Sequence, residues 1–486
     1  MPVLVSGPPE PARAAIEELR LRLDLPESFP DVVLAEAEEA AARRPDEHAD
    51  LTDVEFVTID PESSMDLDQA VHIARDGDGY LVRYAISDVA FFVLPGTELE
   101  RETHRRGQTK YAPGARIPLH PPVLSEGAAS LLADGVPRPA MVWELSLSGG
   151  GELRAVGLLR ALVRSRAKLS YGGVQRDLDA GTLHPSVELL PEVGELRLRH
   201  EVERGGASLN LPDQEIVEHD GAWDLAFRQL TRVEEYNAQI SLLAGFAAAR
   251  TMVDGGGGIL RTLPPAEDEA VEKLRRAAAA LGVAWPAERT YAEMLRTLSP
   301  DRPRDLAFLT RCTSLFRGAG YLAFDGELPE ENLLHGALAA PYAHTTAPLR
   351  RLVDRYSLEI CHSLVNGLAV PDWVTAALPG LPEEMAKTGR AASAYERGVL
   401  DIAEALVLSS HLGEVIDGVV TDVNPKTDVA TVQVQEPAVE LRVANGRRRA
   451  GERIRLRVDG VDVLAPRVDV SVVHVGQPPL RRAVPA

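Results

Sequence analysis

Asp60, Asp66 and Asp68 fall within nine positions of the segment TIDPESSMDLDQA (58–70), with Gln69 beside the last of them. Three carboxylates this close repel one another and raise one another's pKa values unless a cation shares their charge. An all-oxygen set without His or Cys selects a hard ion, Mg²⁺ or Mn²⁺, rather than zinc. An extended 66–68 segment would aim both of its carboxylates to one side, and Pro61, Ser63 and Ser64 let the chain double back to bring in Asp60. An EF-hand loop starting at Asp60 is excluded, because its sixth position is Met65 rather than Gly and its twelfth is Val71 rather than Glu. A solvated acidic turn stays open on composition alone.

A second constellation lies far along the chain. Thr346-Ala347-Pro348 reads as a helix start, with Thr as N-cap, Pro in the first turn, and Leu349, Leu352, Val353 and Tyr356 as the buried face. Such a start would direct free backbone N–H groups and the Arg350 guanidinium at one anion. The bland alternative for Arg350 is an ion pair with Asp354. Phosphodiester hydrolysis requires charge neutralisation at the phosphate and an activated water, and two carboxylate-held metals ~3.5–4 Å apart supply both.

The elements that must position these groups change along the chain. AAIEELRLRL (14–23) and VVLAEAEEAAARR (32–44) predict two short helices, a small helical domain over 1–50 with a helix-turn-helix flavour. Strand-like alternation follows in VEFVTID and in GYLVRYAISDVAFFV (79–93), then near 140–148. Helical patterns follow near 224–252, 266–281, 302–317, 348–366 and 391–411. Within 224–252, Leu230, Val233, Asn237, Ile240 and Ala244 keep the spacing of a buried face. We therefore expect an α+β fold with a large mixed domain over 51–410. The tail, 411–486, predicts five short strands and a small OB-type barrel.

Composition bounds the function. The 486 residues carry 52 Lys plus Arg against 73 Asp plus Glu, a net charge of −21, which opposes nonspecific adhesion to nucleic acid or anionic membranes. Basic stretches are local: RAVGLLRALVRSRAK (154–168), and RVANGRRRAGERIRLR (442–457) with Arg447, Arg448 and Arg449 in a row. A polyanion would bind there. No apolar run reaches the ~18–20 residues of a membrane span. The opening MPVLVSGPPEPARAA has no export-signal pattern, and two cysteines make no disulfide framework. A cytoplasmic monomer without membrane contact is expected.

The pattern TIDPxxxxDLDxA followed by GYxVxxAISDVAxFV resembles the opening of the catalytic domain of the RNB exoribonucleases, the ribonuclease II and ribonuclease R family. The likeness continues through RGQTKYAPGARIPLHPPVLSEGAASLL (106–132), AKLSY (167–171), RVEEYNAQISLLA (232–244), YAHTTAPLRRLVD (342–354) and SAYERG (393–398). It ends in a barrel similar to the family's S1-type RNA-binding domain. The resemblance implies a magnesium-dependent (Mn²⁺ as substitute) 3′→5′ exoribonuclease that degrades single-stranded RNA processively to 5′-mononucleotides. A binding-only relative with a weakened metal site is the alternative.

Residue by residue, the resemblance makes Asp60, Asp66 and Asp68 metal ligands, Asp68 the one closest to the chemistry. Tyr171 would pack on the terminal nucleotide, Glu234 and Glu396 would contact the ribose, and Arg350, with Arg351 beside it, would grip the scissile phosphate. For Tyr171 a half-buried strand aromatic, and for both glutamates ordinary helix positions, remain open. Three departures stand out. Gln69 occupies the fourth acidic position and would ligate only through its carbonyl, Ala347 replaces a serine, and Leu209 stands where a base-stacking aromatic is expected. The family's N-terminal cold-shock barrels are also missing from this sequence.

Overall fold

The computed structural model describes residues 8–473 apart from 115, 210, 220, 221, 327, 329–332, 425 and 445. Its centre is a seven-stranded sheet built from β1 (Ala49–Asp50), β2 (Phe56–Asp60), β3 (Gln69–Asp76), β4 (Gly79–Ser87), β5 (Arg138–Leu147), β6 (Leu153–Val163) and β7 (Ser165–Ser170). The strand order is β1-β6-β5-β4-β3-β2-β7, with β1/β6 and β2/β7 parallel and the other pairs antiparallel. Tyr80, Tyr84 and Trp143 from neighbouring strands are almost wholly buried on this sheet, each large side chain contributing about 1.5–3 kcal/mol of burial free energy.

The helices Arg232–Gly255 and Leu352–Val365 complete that core with Val233, Ile240, Leu243, Leu352, Val353 and Tyr356. The expected helix over 224–252 begins later, at Arg232. Thr231 caps it, accepting from the Glu234 N–H while Glu234 reaches back to the Thr231 N–H. Upstream lies a hairpin, β8 (Asp213–His219) and β9 (Ala222–Arg228), in which Trp223 and Leu225 are buried at a spacing of two. That alternation is strand-like, and Leu230, expected on the helix face, is 55% exposed between hairpin and cap.

Two further strands, β10 (Gly257–Thr262) and β11 (Gly320–Asp325), pair antiparallel. Between them the helices Asp268–Leu281 and Pro303–Cys312 form a satellite core around Leu274, Phe308 and Leu309. The helix expected at 391–411 runs from Leu381 to Ser409.

The tail folds as expected, into five antiparallel strands: β12 (Val415–Asn424), β13 (Val429–Val434), β14 (Val439–Ala444), β15 (Arg453–Asp462) and β16 (Arg467–Val472), ordered β14-β13-β12-β15-β16. The two outer strands approach each other, so the sheet nearly closes into a barrel. Alternate residues of β14 and β15 are buried, as a barrel wall requires.

Both short helices of the first fifty residues form, at Ala12–Arg22 and Asp31–Ala41. Their buried side chains belong to different clusters. Ile16 and Leu19 join Tyr395, Val399 and Ile402 of the Leu381–Ser409 helix, while Val33 and Ala37 pack with Phe92, Leu99 and Leu124. Eleven residues with three or four buried side chains make no core alone, so each helix borrows one from the larger domain. No described helix is long and apolar enough to cross a membrane.

Candidate active site

The β2–β3 connection builds the carboxylate cluster. It turns at Pro61, whose carbonyl accepts from the Ser64 N–H at 3.0 Å, and then leads into β3. Leu67 fixes the register. Its side chain is fully buried with Phe56, Ala70 and Leu131, its N–H donates to Ser130 Oγ (2.9 Å), and its carbonyl accepts from the Leu131 N–H (3.0 Å). With Leu67 held in the core, its neighbours Asp66 and Asp68 contact Arg116 and Arg350 instead.

Asp68 is 5% exposed; its Oδ1 accepts from the Leu349 N–H at 2.7 Å and its Oδ2 lies 3.7 Å from Arg350 Nε. Burial drives its pKa well above the usual carboxylate range despite Arg350 and that N–H. Asp60, at the end of β2, is pushed up to about 7, chiefly by burial, with Asp66 adding to the rise and Arg350 opposing it. Asp66 is held by Arg116 Nη1 at 3.0 Å and receives the Tyr111 hydroxyl at 3.4 Å. Among the described residues no three His, Cys, Asp or Glu side chains converge as they stand on one ion position. The donor chemistry nevertheless suits a hard divalent ion: Asp60 and Asp68, destabilised as anions, lie close enough to Asp66 for its charge to add to the rise of both.

Gln69, expected as a ligand through its carbonyl, has both ends of its amide hydrogen-bonded within the protein. Its Nε2 donates to the Thr346 carbonyl at 2.5 Å, and its Oε1 accepts the Tyr84 hydroxyl at 2.7 Å, which also lies 2.7 Å from Ser241 Oγ. The amide nitrogen ties β3 to the 345–348 segment, and the amide oxygen ties it to Tyr84 of β4.

That segment is not the helix start expected at Thr346. The helix begins at Leu352, and residues 347–351 form a turn closed by the Arg351 N–H donating to the Ala347 carbonyl (2.9 Å). The Asp354 carboxylate accepts the Ala347 N–H at 2.7 Å, and the Leu349 N–H goes to Asp68, so these donors are committed to carboxylates and not free for an anion. Arg351, rather than Arg350, makes the bidentate pair with Asp354, at 2.8 and 2.9 Å. Asp354 outweighs burial and holds the Arg351 guanidinium firmly charged. The Thr109 N–H to Arg350 carbonyl bond (3.0 Å) and the Leu352 N–H to Gly107 carbonyl bond (2.9 Å) strap RGQTKY across this turn. Arg350, its side chain about one-third exposed, is left free to reach outward.

It reaches a cleft of about 660 Å³ lined by Tyr111, Gln214, Ile216, Arg350, Arg351 and Glu396, among others. Glu396 faces it from the Leu381–Ser409 helix. Tyr171 opens a helix, Tyr171–Ala180, instead of lying in a strand; its hydroxyl accepts from Asn237 Nδ2 at 3.4 Å, and burial, then Asp60, pushes its pKa up to about 12. Glu234, expected at a ribose, is engaged within the protein. Its carboxylate closes the helix cap and receives Arg228 Nη1 on both oxygens, at 2.8 and 2.9 Å. These donors outweigh burial and hold its pKa low. Leu209, which stands where a base-stacking aromatic is expected, packs on the satellite core around Phe308.

The basic stretches divide. In 154–168, Arg154 pairs with Asp78, Arg160 with Asp88 and Glu359, and Arg166 and Lys168 donate to the Thr52 and Glu62 carbonyls. That stretch is structural. In the barrel, Arg447, Arg448, Arg453 and Arg455 line a cavity of about 930 Å³ against Phe227 of the hairpin and Leu306. Arg449 is exposed beside it. Two site residues escaped the sequence reading, Tyr111 and Arg116. Both sit in the motif RGQTKYAPGARIP, whose aromatic and arginine between turn residues were the available signal.

The RNB domain matches residues 48–367, and the RNase II-type exonuclease C-terminal S1 domain matches residues 414–473. Ribonuclease R of Escherichia coli is 30% identical over 419 residues, covering 79% of this chain and 49% of that protein. The chain thus spans about half the length of that relative. RNase R of Mycoplasma genitalium, solved with ribose-methylated single-stranded RNA, superposes with a TM-score of 0.83 at 18% identity, over 96% of this chain and 78% of that one. Yeast Ssd1, a pseudonuclease, superposes at 0.67 and 13% identity, over 92% and 58%.

Proposed function

We propose, because this chain belongs to the RNB-domain family, that it is a divalent-metal-dependent 3′→5′ exoribonuclease acting on single-stranded RNA. The observation that carries this is the meeting of the β2–β3 carboxylates with Arg350 at the mouth of the Tyr111–Glu396 cleft. Asp60, Asp66 and Asp68 would hold the metal, with Mg²⁺ the ion of choice and Mn²⁺ a substitute. When bound, such ions neutralise the phosphate and lower the pKa of the attacking water.

The chain's own groups do the rest. Arg350, oriented by Asp68 and by the strap from Gly107 to Thr109, offers a guanidinium to the scissile phosphate. Tyr171 presents a ring to the terminal nucleotide. Glu396 is left as the carboxylate able to accept from a 2′-hydroxyl, the group that separates RNA from DNA. The barrel arginines Arg447, Arg448 and Arg449 would hold the trailing strand through its phosphates and keep it engaged between cuts. Release of 5′-mononucleotides in the cytoplasm completes the reading.

A binding-only protein is the second reading, favoured by the Arg116–Asp66 pair and by the fold shared with a pseudonuclease. Incubating the protein with 5′-labelled RNA and matching DNA, with and without EDTA, separates the two. Stepwise shortening of RNA alone, abolished by EDTA, supports the enzyme; binding without shortening at any Mg²⁺ or Mn²⁺ concentration supports the second reading.

A further inference from the structure

Both oxygens of Asp66 are already engaged. Arg116 Nη1 lies 3.0 Å from Oδ1, and the Tyr111 hydroxyl donates to Oδ2 at 3.4 Å. The other guanidinium nitrogen of Arg116 pairs with Glu126 Oε1, on the short helical turn Leu124–Ala128. The Arg116 side chain is 22% exposed and Asp66 11%, so the pair sits at a partly closed edge where its charges are weakly screened.

A guanidinium stays charged at every working pH, and it cannot share an oxygen lone pair with a divalent cation, which it also repels. Oδ1 keeps a second lone pair, so Arg116 does not fill it, but a positive charge 3.0 Å away opposes a metal at the same atom, and the two compete for Asp66. Glu126 gives the arginine somewhere to go: it can leave Asp66 without losing its remaining carboxylate partner. From this geometry, and resting on the metal-dependent reading above, we infer that Arg116 is a built-in competitor for the divalent ion at Asp66. Glu126 is the counterion that receives Arg116 when the ion binds.

The device would set how much free metal the protein needs. It acts in concert with Gln69, which contributes no charge and whose amide is tied to Thr346 and Tyr84. The cluster thus has three carboxyl groups, with one arginine on Asp66 and another near Asp68.

The proposal predicts opposite signs for two neighbouring substitutions. Manganese binding to the full chain, without RNA, can be followed by the loss of the free Mn²⁺ resonance in electron paramagnetic spectra. Arg116→Gln removes the competitor and should tighten Mn²⁺ at least tenfold. Glu126→Gln removes the alternative partner, leaves Arg116 on Asp66, and should weaken Mn²⁺ several-fold. The double variant should behave as Arg116→Gln, since Glu126 acts only through the arginine. Arg116→Lys, which keeps the charge without the two-ended fork, should fall between wild type and Arg116→Gln and guards against a folding defect in the latter.

An unchanged or weakened Mn²⁺ affinity in Arg116→Gln, with wild type binding normally, overturns this inference and leaves the nuclease reading standing. A raised KM for RNA with unmoved Mn²⁺ affinity does the same and makes Arg116 a phosphate ligand. Absence of Mn²⁺ binding in wild type and every variant overturns the metal-dependent reading itself, and this inference with it.

Discussion

Replacing Gln69 by Asp restores a fourth carboxylate to the cluster, and by charge alone it should improve metal binding. The structure predicts the reverse. Gln69 Nε2 is the donor that satisfies the Thr346 carbonyl, and Thr346 is 4% exposed. An Asp has no N–H to give and its chain is one methylene shorter. Stranding that carbonyl costs ~1–3 kcal/mol, and a further anion beside Asp68, whose pKa burial has already raised, adds to the penalty. We expect the metal-free variant to lose about 2–4 kcal/mol in urea unfolding. The 345–348 segment also carries the turn that places the Leu349 N–H and Arg350 on Asp68. Loosening it by ~1 Å should cut turnover on the order of 10²-fold. Gln69→Glu, which keeps the length but likewise loses the donor and adds a charge, should show most of the same stability loss. Unchanged stability together with tighter Mn²⁺ binding in Gln69→Asp would refute this reasoning and return Gln69 to the coordination shell.

Other expectations follow from single interactions. Glu234→Ala opens the helix cap and leaves Arg228 without one of its carboxylates; thermal unfolding should register a loss of at least ~1 kcal/mol, while the protein's preference for RNA over DNA should stay as it was. Glu404, whose Oε1 accepts from Gln214 and from the Glu440 N–H, has its pKa pushed up by burial to about 7. Its stabilising contribution is therefore complete below its ordinary value near 4.5 and is lost as pH rises through 7. Glu404→Gln should then leave unfolding at pH 5 nearly unmoved and stabilise at pH 8 by up to about 3 kcal/mol; equal effects at both pH values would show that this carboxyl titrates normally. Substituting Arg447, Arg448 and Arg449 by Ala should lower the slope of log K for RNA against log salt by ~0.7 for every phosphate that these side chains neutralise. A slope that does not change makes those arginines a solvated barrel face.

The strands and the barrel were legible because they write a period of two into the sequence: β4 and β14 show it in apolar positions that the fold then buries. The β8–β9 hairpin was missed because its alternation abuts a long helical pattern, and only Thr231, a cap residue, marks the boundary. The same residue explains Glu234. A glutamate three positions after a threonine is a capping box before it is anything else, and here the box and Arg228 use the whole carboxylate. Thr346 misled in the opposite way, since Thr-x-Pro suggests a helix start, yet Asp354 and Asp68 capture the following N–H groups and delay the helix to Leu352. Asp60, Asp66 and Asp68 could be picked out by type and spacing. That Arg116 sits on one of them depends on a pairing between residues fifty positions apart, which no local pattern encodes.

Asp68→Asn tests the central claim most directly. The amide oxygen can still accept the Leu349 N–H, so the turn bearing Arg350 keeps its anchor while one anion of the cluster is lost. RNA affinity and shortening of a 5′-labelled strand should be measured on the same preparation. The account predicts near-normal binding, resting on arginines elsewhere, and turnover reduced by several orders of magnitude at saturating Mg²⁺. Turnover close to wild type in Asp68→Asn would contradict it and place the chemistry outside the β2–β3 carboxylates.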